Sequence, residues 1–291
     1  MNRVIRMIGA TLLFVFLAGF SLMAEAQQST IVEAEDRACM GYDKSRSQTE
    51  REALANAKRK AAELAATYLT SETTVKDFQL EKDLVNAYAT ATVRVIEEGF
   101  RTWYDDPAMG SCCKIKIKAE VIPDGTAMKR INETKDFSQD PTAPLTVKVW
   151  TDKPAYKQGE KIRVFLKGNK PFYARVHYRD AANTLLQLLP NPYRRDNYFL
   201  GGVVYDIPSG NDRFELRVGP PFGAEQIVVY ASSSPQGNLS LLENGGVYQV
   251  RTSADDVSVA TRGVSIVPST KSDSPQGAEF SEAAADLRTG Q

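Results

Sequence analysis

The chain of 291 residues holds one histidine, His177, and three cysteines, Cys39, Cys112 and Cys113. A single histidine rules out zinc sets built on several imidazoles and leaves room for at most one Ser-His-Asp arrangement. His177 sits between Val176 and Tyr178 on a predicted strand, alternating with Tyr173 and Arg175 on its outer side. It therefore reads as an exposed or hydrogen-bonded strand histidine rather than a catalytic base. The adjacent carboxylates Asp105-Asp106 and Asp255-Asp256 fall in loops or at a strand edge and read as turn residues. Neither segment supplies the alternating oxygen ligands of a calcium loop. There is no Gly-x-x-x-x-Gly-Lys-Ser phosphate loop, no Gly-x-Ser-x-Gly elbow and no dinucleotide fingerprint. No catalytic residue, metal or cofactor is assigned, and the chain reads as a non-enzyme.

What remains is chemistry of recognition. Phe172, Tyr173, Tyr178, Tyr193, Arg194, Arg195, Tyr198, Phe199 and Tyr205 concentrate aromatic rings and guanidinium groups within a short stretch. Arg and Tyr dominate interaction hot spots, and aromatic rings stack on sugars. A β-sandwich core also absorbs many aromatics, so about half of these are expected inside. The connection from Pro190 to Gly202 is long and aromatic-rich, which makes Tyr193, Arg194, Arg195, Tyr198 and Phe199 the candidate binding residues. The expected partner is an envelope protein or a glycan.

The three cysteines fit an oxidising compartment, where two would pair. A bridge between neighbours in sequence is awkward, so Cys39 takes Cys112 or Cys113. On the strand ending the first domain, Cys113 shares a side with Ile115, Ile117 and Val121, and Cys112 shares the side of Lys114, Lys116 and Lys118. Cys39 lies opposite Val32, Ala34, Ala38 and Met40, which favours Cys39 with Cys112 as a structural staple. There is no Cys-x-x-Cys to suggest redox work.

Arg3 and Arg6, the apolar run Met7–Met23 and Ala24-Glu25-Ala26 together read as a signal peptide over residues 1–26. The apolar run is short of the roughly 20 residues that span a bilayer, and no cysteine follows it for lipidation. No transmembrane span is expected after cleavage, and the protein is expected to be exported to the periplasm or cell envelope of a Gram-negative bacterium. Lys plus Arg and Asp plus Glu balance at 36 each, so no basic field favours nucleic acid.

The elements that must position these residues divide into two domains. The first, residues 28–125, opens with a strand over Ile31–Met40. A helix follows, with Ser47 as N-cap and Glu50 completing a capping box. Ala53, Leu54, Ala57, Ala61, Leu64, Ala65 and Tyr68 form its apolar face. Strands are expected over Glu72–Leu80, Thr92–Tyr104 and Cys112–Ile122, with a short helix or irregular link over Lys82–Ala91. This is an α+β domain, one long helix on a small sheet. Its Ala-rich helix after a Gly turn, Thr73-Thr74-Val75, Val95-Ile96-Glu97-Glu98 and the closing Ala119-Glu120-Val121 resemble the N-terminal domain of the flagellar assembly protein T and related small envelope lipoproteins. The resemblance implies a non-enzymatic envelope module.

Residues 126–144 read as a linker. The second domain, residues 145–268, is an all-β sandwich of eight or nine short strands. They are placed over Leu145–Trp150, Lys161–Lys167, Phe172–Arg179, Thr184–Leu189, Val203–Ile207, Arg213–Val218, Gln226–Ala231, Val247–Arg251 and Val257–Val267. Gly201-Gly202 and Gly245-Gly246 are placed in strand turns. Tyr156-Lys157-Gln158-Gly159-Glu160, Phe172-Tyr173-Ala174-Arg175-Val176, Leu188-Leu189-Pro190-Asn191, Ile207-Pro208, Phe214-Glu215-Leu216, Gly219-Pro220-Pro221-Phe222-Gly223-Ala224-Glu225 and Thr261-Arg262-Gly263 resemble the bacterial domain of unknown function 4384. That resemblance implies a secreted protein and assigns no activity. Residues 269–291, rich in Ser, Pro, Gly and Ala, are expected to be a disordered tail.

The function expected from these readings is a non-catalytic protein-interaction or scaffold module of the envelope. The alternatives are carbohydrate or peptidoglycan binding by the aromatic loop, and a hydrolase whose carboxylates converge only in the fold.

Overall fold

The computed structural model describes residues 27–72, 78–134, 137–237, 239, 241–244, 247–251, 257, 261–262 and 277–291. The first half runs β1 (Gln27–Cys39), α1 (Arg46–Glu72), α2 (Phe78–Ala89), β2 (Thr92–Asp106), β3 (Gly110–Ile122) and α3 (Gly125–Thr134). The second half begins with β4 (Val147–Thr151), β5 (Ala155–Lys157), β6 (Lys161–Ile162), β7 (Val164–Gly168), β8 (Phe172–Arg179), β9 (Leu185–Leu189) and β10 (Tyr198–Phe199). It continues with β11 (Tyr205–Ile207), β12 (Leu216–Arg217), β13 (Ala224–Ser232), β14 (Leu241–Asn244), β15 (Val247–Val250) and β16 (Gly277–Gly290).

Small residues at every fourth position decide how α1 packs. Ala53, Ala57, Ala61, Ala65 and Leu69 are all buried, and the stripe lies on Val32 and Ala34 of β1 and Ile115 and Ile117 of β3. On β3 the alternation is clean: Cys113, Ile115, Ile117, Ala119 and Val121 face the helix, while Lys114 and Lys116 pair outward with Glu35 and Glu33. The cap of α1 differs from expectation. Ser45 Oγ accepts from Gln48 N and Gln48 Oε1 accepts from Ser45 N, so the reciprocal box sits two residues before Ser47 and Glu50.

Eleven strands form one sheet, ordered β14-β15-β9-β8-β13-β16-β1-β3-β2, with β10 added to β8 and β5 to β16. A three-stranded sheet, β11-β7-β4, packs on one face of it. Leu145, Val147, Val164, Leu166, Phe172, Val176, Val229 and Leu287 fill the space between, which is the sandwich. The opposite face carries a second core around Ile31, Val228, Tyr230, Ala278 and Phe280.

Several expectations are corrected. The tail is not disordered over Gly277–Gly290: it is β16, central in the sheet, paired with β1 from Gln27↔Glu282 to Val32↔Gly277 and with β13 from Ala224↔Arg288 to Ser232↔Phe280. Its composition misleads because both faces are covered and alanines fit there, while its polar side chains are consumed. Glu279 accepts from Leu145 N and Lys170 Nζ, and Ser281 Oγ accepts from Val147 N. A single sheet therefore runs through both halves. The linker contains α3, whose Met128 and Ile131 pack with Leu84, Ala87, Phe137 and Ala143 into a small core. The strand expected over Glu72–Leu80 is instead the end of α1 and the start of α2, with residues 73–77 outside the described set. Within the expected strand Val257–Val267, Val257 and Thr261 are helical, Thr261 Oγ1 donating to Val257 O at 2.8 Å. The segment 1–26 expected to be a signal peptide, Gly245-Gly246 and Asp255-Asp256 lie outside the described residues.

Candidate functional site

The loop between β9 and β11 is organised by Asn191. Its Oδ1 accepts from Tyr193 N and Arg194 N, both at 2.8 Å, and its Nδ2 donates to Leu188 O at 2.7 Å. That turn sends the five candidate residues to different fates. Phe199 is fully buried, stacked on Phe172 at 5.3 Å and edge-on to Tyr205 at 5.0 Å. Arg194 is turned inward to Asp212 at 3.0 Å, and Asp212 also accepts Ser209 N. Tyr193, Arg195 and Tyr198 remain exposed. Tyr193 stacks on Phe214 at 6.3 Å and Tyr198 leans on Tyr173 at 5.0 Å.

The exposed apolar surface continues beyond those residues. Leu200, Val203 and Val204 are each about half exposed, so residues 193–204 hold five of the eleven large apolar side chains exposed among the described residues. Sequence reasoning found the aromatics of this stripe and missed its aliphatics. Gly201 holds the stripe close to the body, because a Cβ there would lie 2.5 Å from Lys170 Cα. Gly202 takes the positive φ of 77° that the turn requires.

A second feature lies at the open mouth of the sandwich, where β8, β9, β6, β12 and the segment Gly219-Pro220-Pro221 surround a cavity of about 280 Å³. Ile162, Leu186, Leu188 and Leu216 supply apolar walls, and Asp180, Glu215 and Glu225 bring carboxylates. Glu225 is 5 % exposed; it accepts from the Tyr178 hydroxyl and, at 2.9 Å, from Thr289 Oγ1. Burial and the neighbouring Glu225 push the Tyr178 hydroxyl up, which keeps it a protonated donor. Glu215 is held below the usual carboxylate range by Lys161 and Arg217. Asp180 accepts the backbone N–H of Ala182 and Thr184. The motif Gly219–Glu225 walls this cavity, which is not legible along the sequence because the opposing Leu186 and Leu188 come from β9.

His177 is not on an outer side: it is fully buried, because the second core covers that face of β8. Its Nε2 pairs with Gln187 Oε1 at 3.3 Å, Nδ1 has no partner, and burial pushes its pKa down to about 4. Asp106 accepts Ala108 N and Met109 N and is the turn residue expected. Cys39 and Cys112 face each other across β1 and β3 and form the disulfide, while Cys113 is a free thiol buried under α1 and pushed up by burial. Among the described residues no group of three His, Cys, Asp or Glu side chains is placed to hold a metal, and no helix is long and apolar enough to cross a membrane.

Residues 155–235 match the family model of a domain of unknown function (DUF4384). The stripe and all the residues that line the cavity lie inside that match, whereas Thr289, which donates to Glu225, and the N-terminal half lie outside it. No curated protein and no solved structure matches the chain.

Proposed function

We propose that this is a non-catalytic interaction module of the cell envelope that binds a partner protein through the stripe from Tyr193 to Val204. The observation that carries the reading is the concentration of exposed apolar side chains on that one connection. Arg195 and Arg213, exposed beside the Tyr193–Phe214 stack, suit a partner surface with an apolar centre and an acidic rim. The Cys39–Cys112 disulfide supports an oxidising compartment, in keeping with export to the periplasm or envelope. The N-terminal half, which lies outside the family match, is proposed to serve anchoring or assembly.

The test compares residues 27–291 with a Tyr193→Ser/Leu200→Ser/Arg195→Glu variant in envelope extract, followed by reconstitution with the purified captured protein. The expected result is direct binding that the variant loses at least tenfold, about 1.4 kcal/mol, with its melting temperature unchanged. Equal binding by both chains removes the stripe from the interface, and retention of peptidoglycan fragments alone moves the reading to glycan recognition.

A further inference from the structure

Three glutamates are buried among the described residues: Glu120, Glu225 and Glu279. Glu120 is met by Arg94 and Arg262, and Glu279 by Lys170 at 2.9 Å. The part-buried Asp212 likewise has Arg194. This is the ordinary rule that a carboxylate taken out of water is paired with a cation. Glu225 departs from it. Its partners are the hydroxyls of Tyr178 and Thr289, and among the described residues no lysine or arginine pairs with it.

Glu225 also lines the cavity at the mouth of the sandwich. Leu186, Leu188 and Pro221 line the same cavity, and Asp180 adds a second carboxylate, which accepts from Ala182 N and Thr184 N and has no cationic partner among the described residues. Glu215, across the opening, is already engaged by Lys161 and Arg217. A ligand for this place needs an aliphatic stem and a cationic head, in a size that about 280 Å³ admits. A neutral apolar ligand leaves Glu225 uncompensated, and an anion meets three lining carboxylates against one lining cation, Arg217, which Glu215 already engages.

We propose that the cavity takes the side chain of a lysine or arginine presented by another molecule, its stem against Leu186, Leu188 and Pro221 and its charge between Glu225 and Asp180. The cavity is a different surface from the Tyr193–Val204 stripe, and this inference does not rest on that reading. The Tyr178 and Thr289 hydroxyls fix the Glu225 carboxylate in the cavity wall, which preorganises the acceptor. Within the family match, Tyr178, Asp180, Pro221 and Glu225 all fall between residues 155 and 235.

The test titrates residues 27–291, observed by NMR, with the blocked amino acids Nα-acetyl-lysine-N-methylamide and Nα-acetyl-arginine-N-methylamide. Nα-acetyl-norleucine-N-methylamide, with lysine's stem and no charge, is the control. At least one cationic probe should saturate with shifts at Leu186 and Leu188, and norleucine should bind at least about tenfold more weakly. Glu225→Gln should lose about tenfold for the cationic probe and nothing for norleucine. Equal binding of lysine, arginine and norleucine probes, no saturation by either cation, or an unchanged affinity in folded Glu225→Gln overturns the proposal. If Glu225→Gln does not fold, Leu186→Trp, which fills the cavity, decides: loss of probe binding supports the site and retention overturns it. Both outcomes can be read whether or not any partner binds the stripe.

Discussion

His177 shows how much a single buried side chain changes when its surroundings are known. The imidazole is hydrogen-bonded at Nε2 only and sits edge-on to Tyr230 at 5.5 Å, beneath a layer of side chains. Its charged form is disfavoured by burial first, and then by Arg175 and Arg179. With a folded pKa near 4 and an unfolded value of 6.5, the unfolded chain binds the extra proton between those limits. Stability contributed by the neutral ring is present above pH 6.5, falls as the solution is acidified, and is lost by pH 4. The difference amounts to about 3 kcal/mol. Urea unfolding of wild type and His177→Gln at pH 7.5, 5.5 and 4 should show the acid loss reduced by about that amount in the variant. Parallel losses in the two chains would place the acid sensitivity elsewhere. Arg194 and Phe199 belong to the same scale: their residue types suit a binding loop, and only their contacts show that one fixes the loop and the other fills the core.

At the scale of elements, what the sequence makes legible is periodicity. The fourfold alanines of α1, the alternation of β3 and the limits of β8 follow from side chains repeating along one element. Elements whose reason lies across the fold are not legible in this way. β16 reads as polar because its polar side chains find partners across the fold, Glu279 in Leu145 N and Lys170, and Ser281 in Val147 N of β4, and α3 reads as a linker because its buried face is two residues wide. The stripe is legible through its tyrosines, whereas the cavity is not, since its walls come from β6, β8, β9, β12, β13 and the segment Gly219-Pro220-Pro221. The cap of α1 is a local misreading that can be tested. Ser45→Ala removes the acceptor for Gln48 N and should cost about 1 kcal/mol in chemical denaturation. Ser47, whose hydroxyl among the described residues accepts only from the exposed Arg51, should cost less than about 0.5 kcal/mol as Ser47→Ala. A larger loss at Ser47 would return the cap to that residue.

For the whole molecule the decisive fact is that its two halves share one sheet. β16 pairs six residues with β1 and nine with β13, so the strand that closes the sandwich also closes the helix-covered half. Further ties cross the same seam. Gln28 Nε2 donates to Leu145 O and Thr146 Oγ1, and buried Arg262 pairs with Glu120 of β3 and Glu282 of β16. Independent unfolding of either half would leave Glu120 without Arg262 and strip β16 of one neighbour, so the halves should unfold together. The two tryptophans of the chain can report on this separately. Trp103 lies in β2 under the guanidinium of Arg46 at 4.5 Å, and Trp150 lies in β4 stacked on Phe165 at 5.7 Å. Trp103→Phe leaves a reporter in the sandwich and Trp150→Phe leaves one in the helical half. Fluorescence midpoints from the two variants, each referred to its own far-ultraviolet circular dichroism, should coincide. Two separated transitions would show that β16 joins the halves in space without coupling them in energy. Coincidence would mean that a ligand gripped at the sandwich mouth stabilises the distant helix by the same amount, because a single equilibrium connects them.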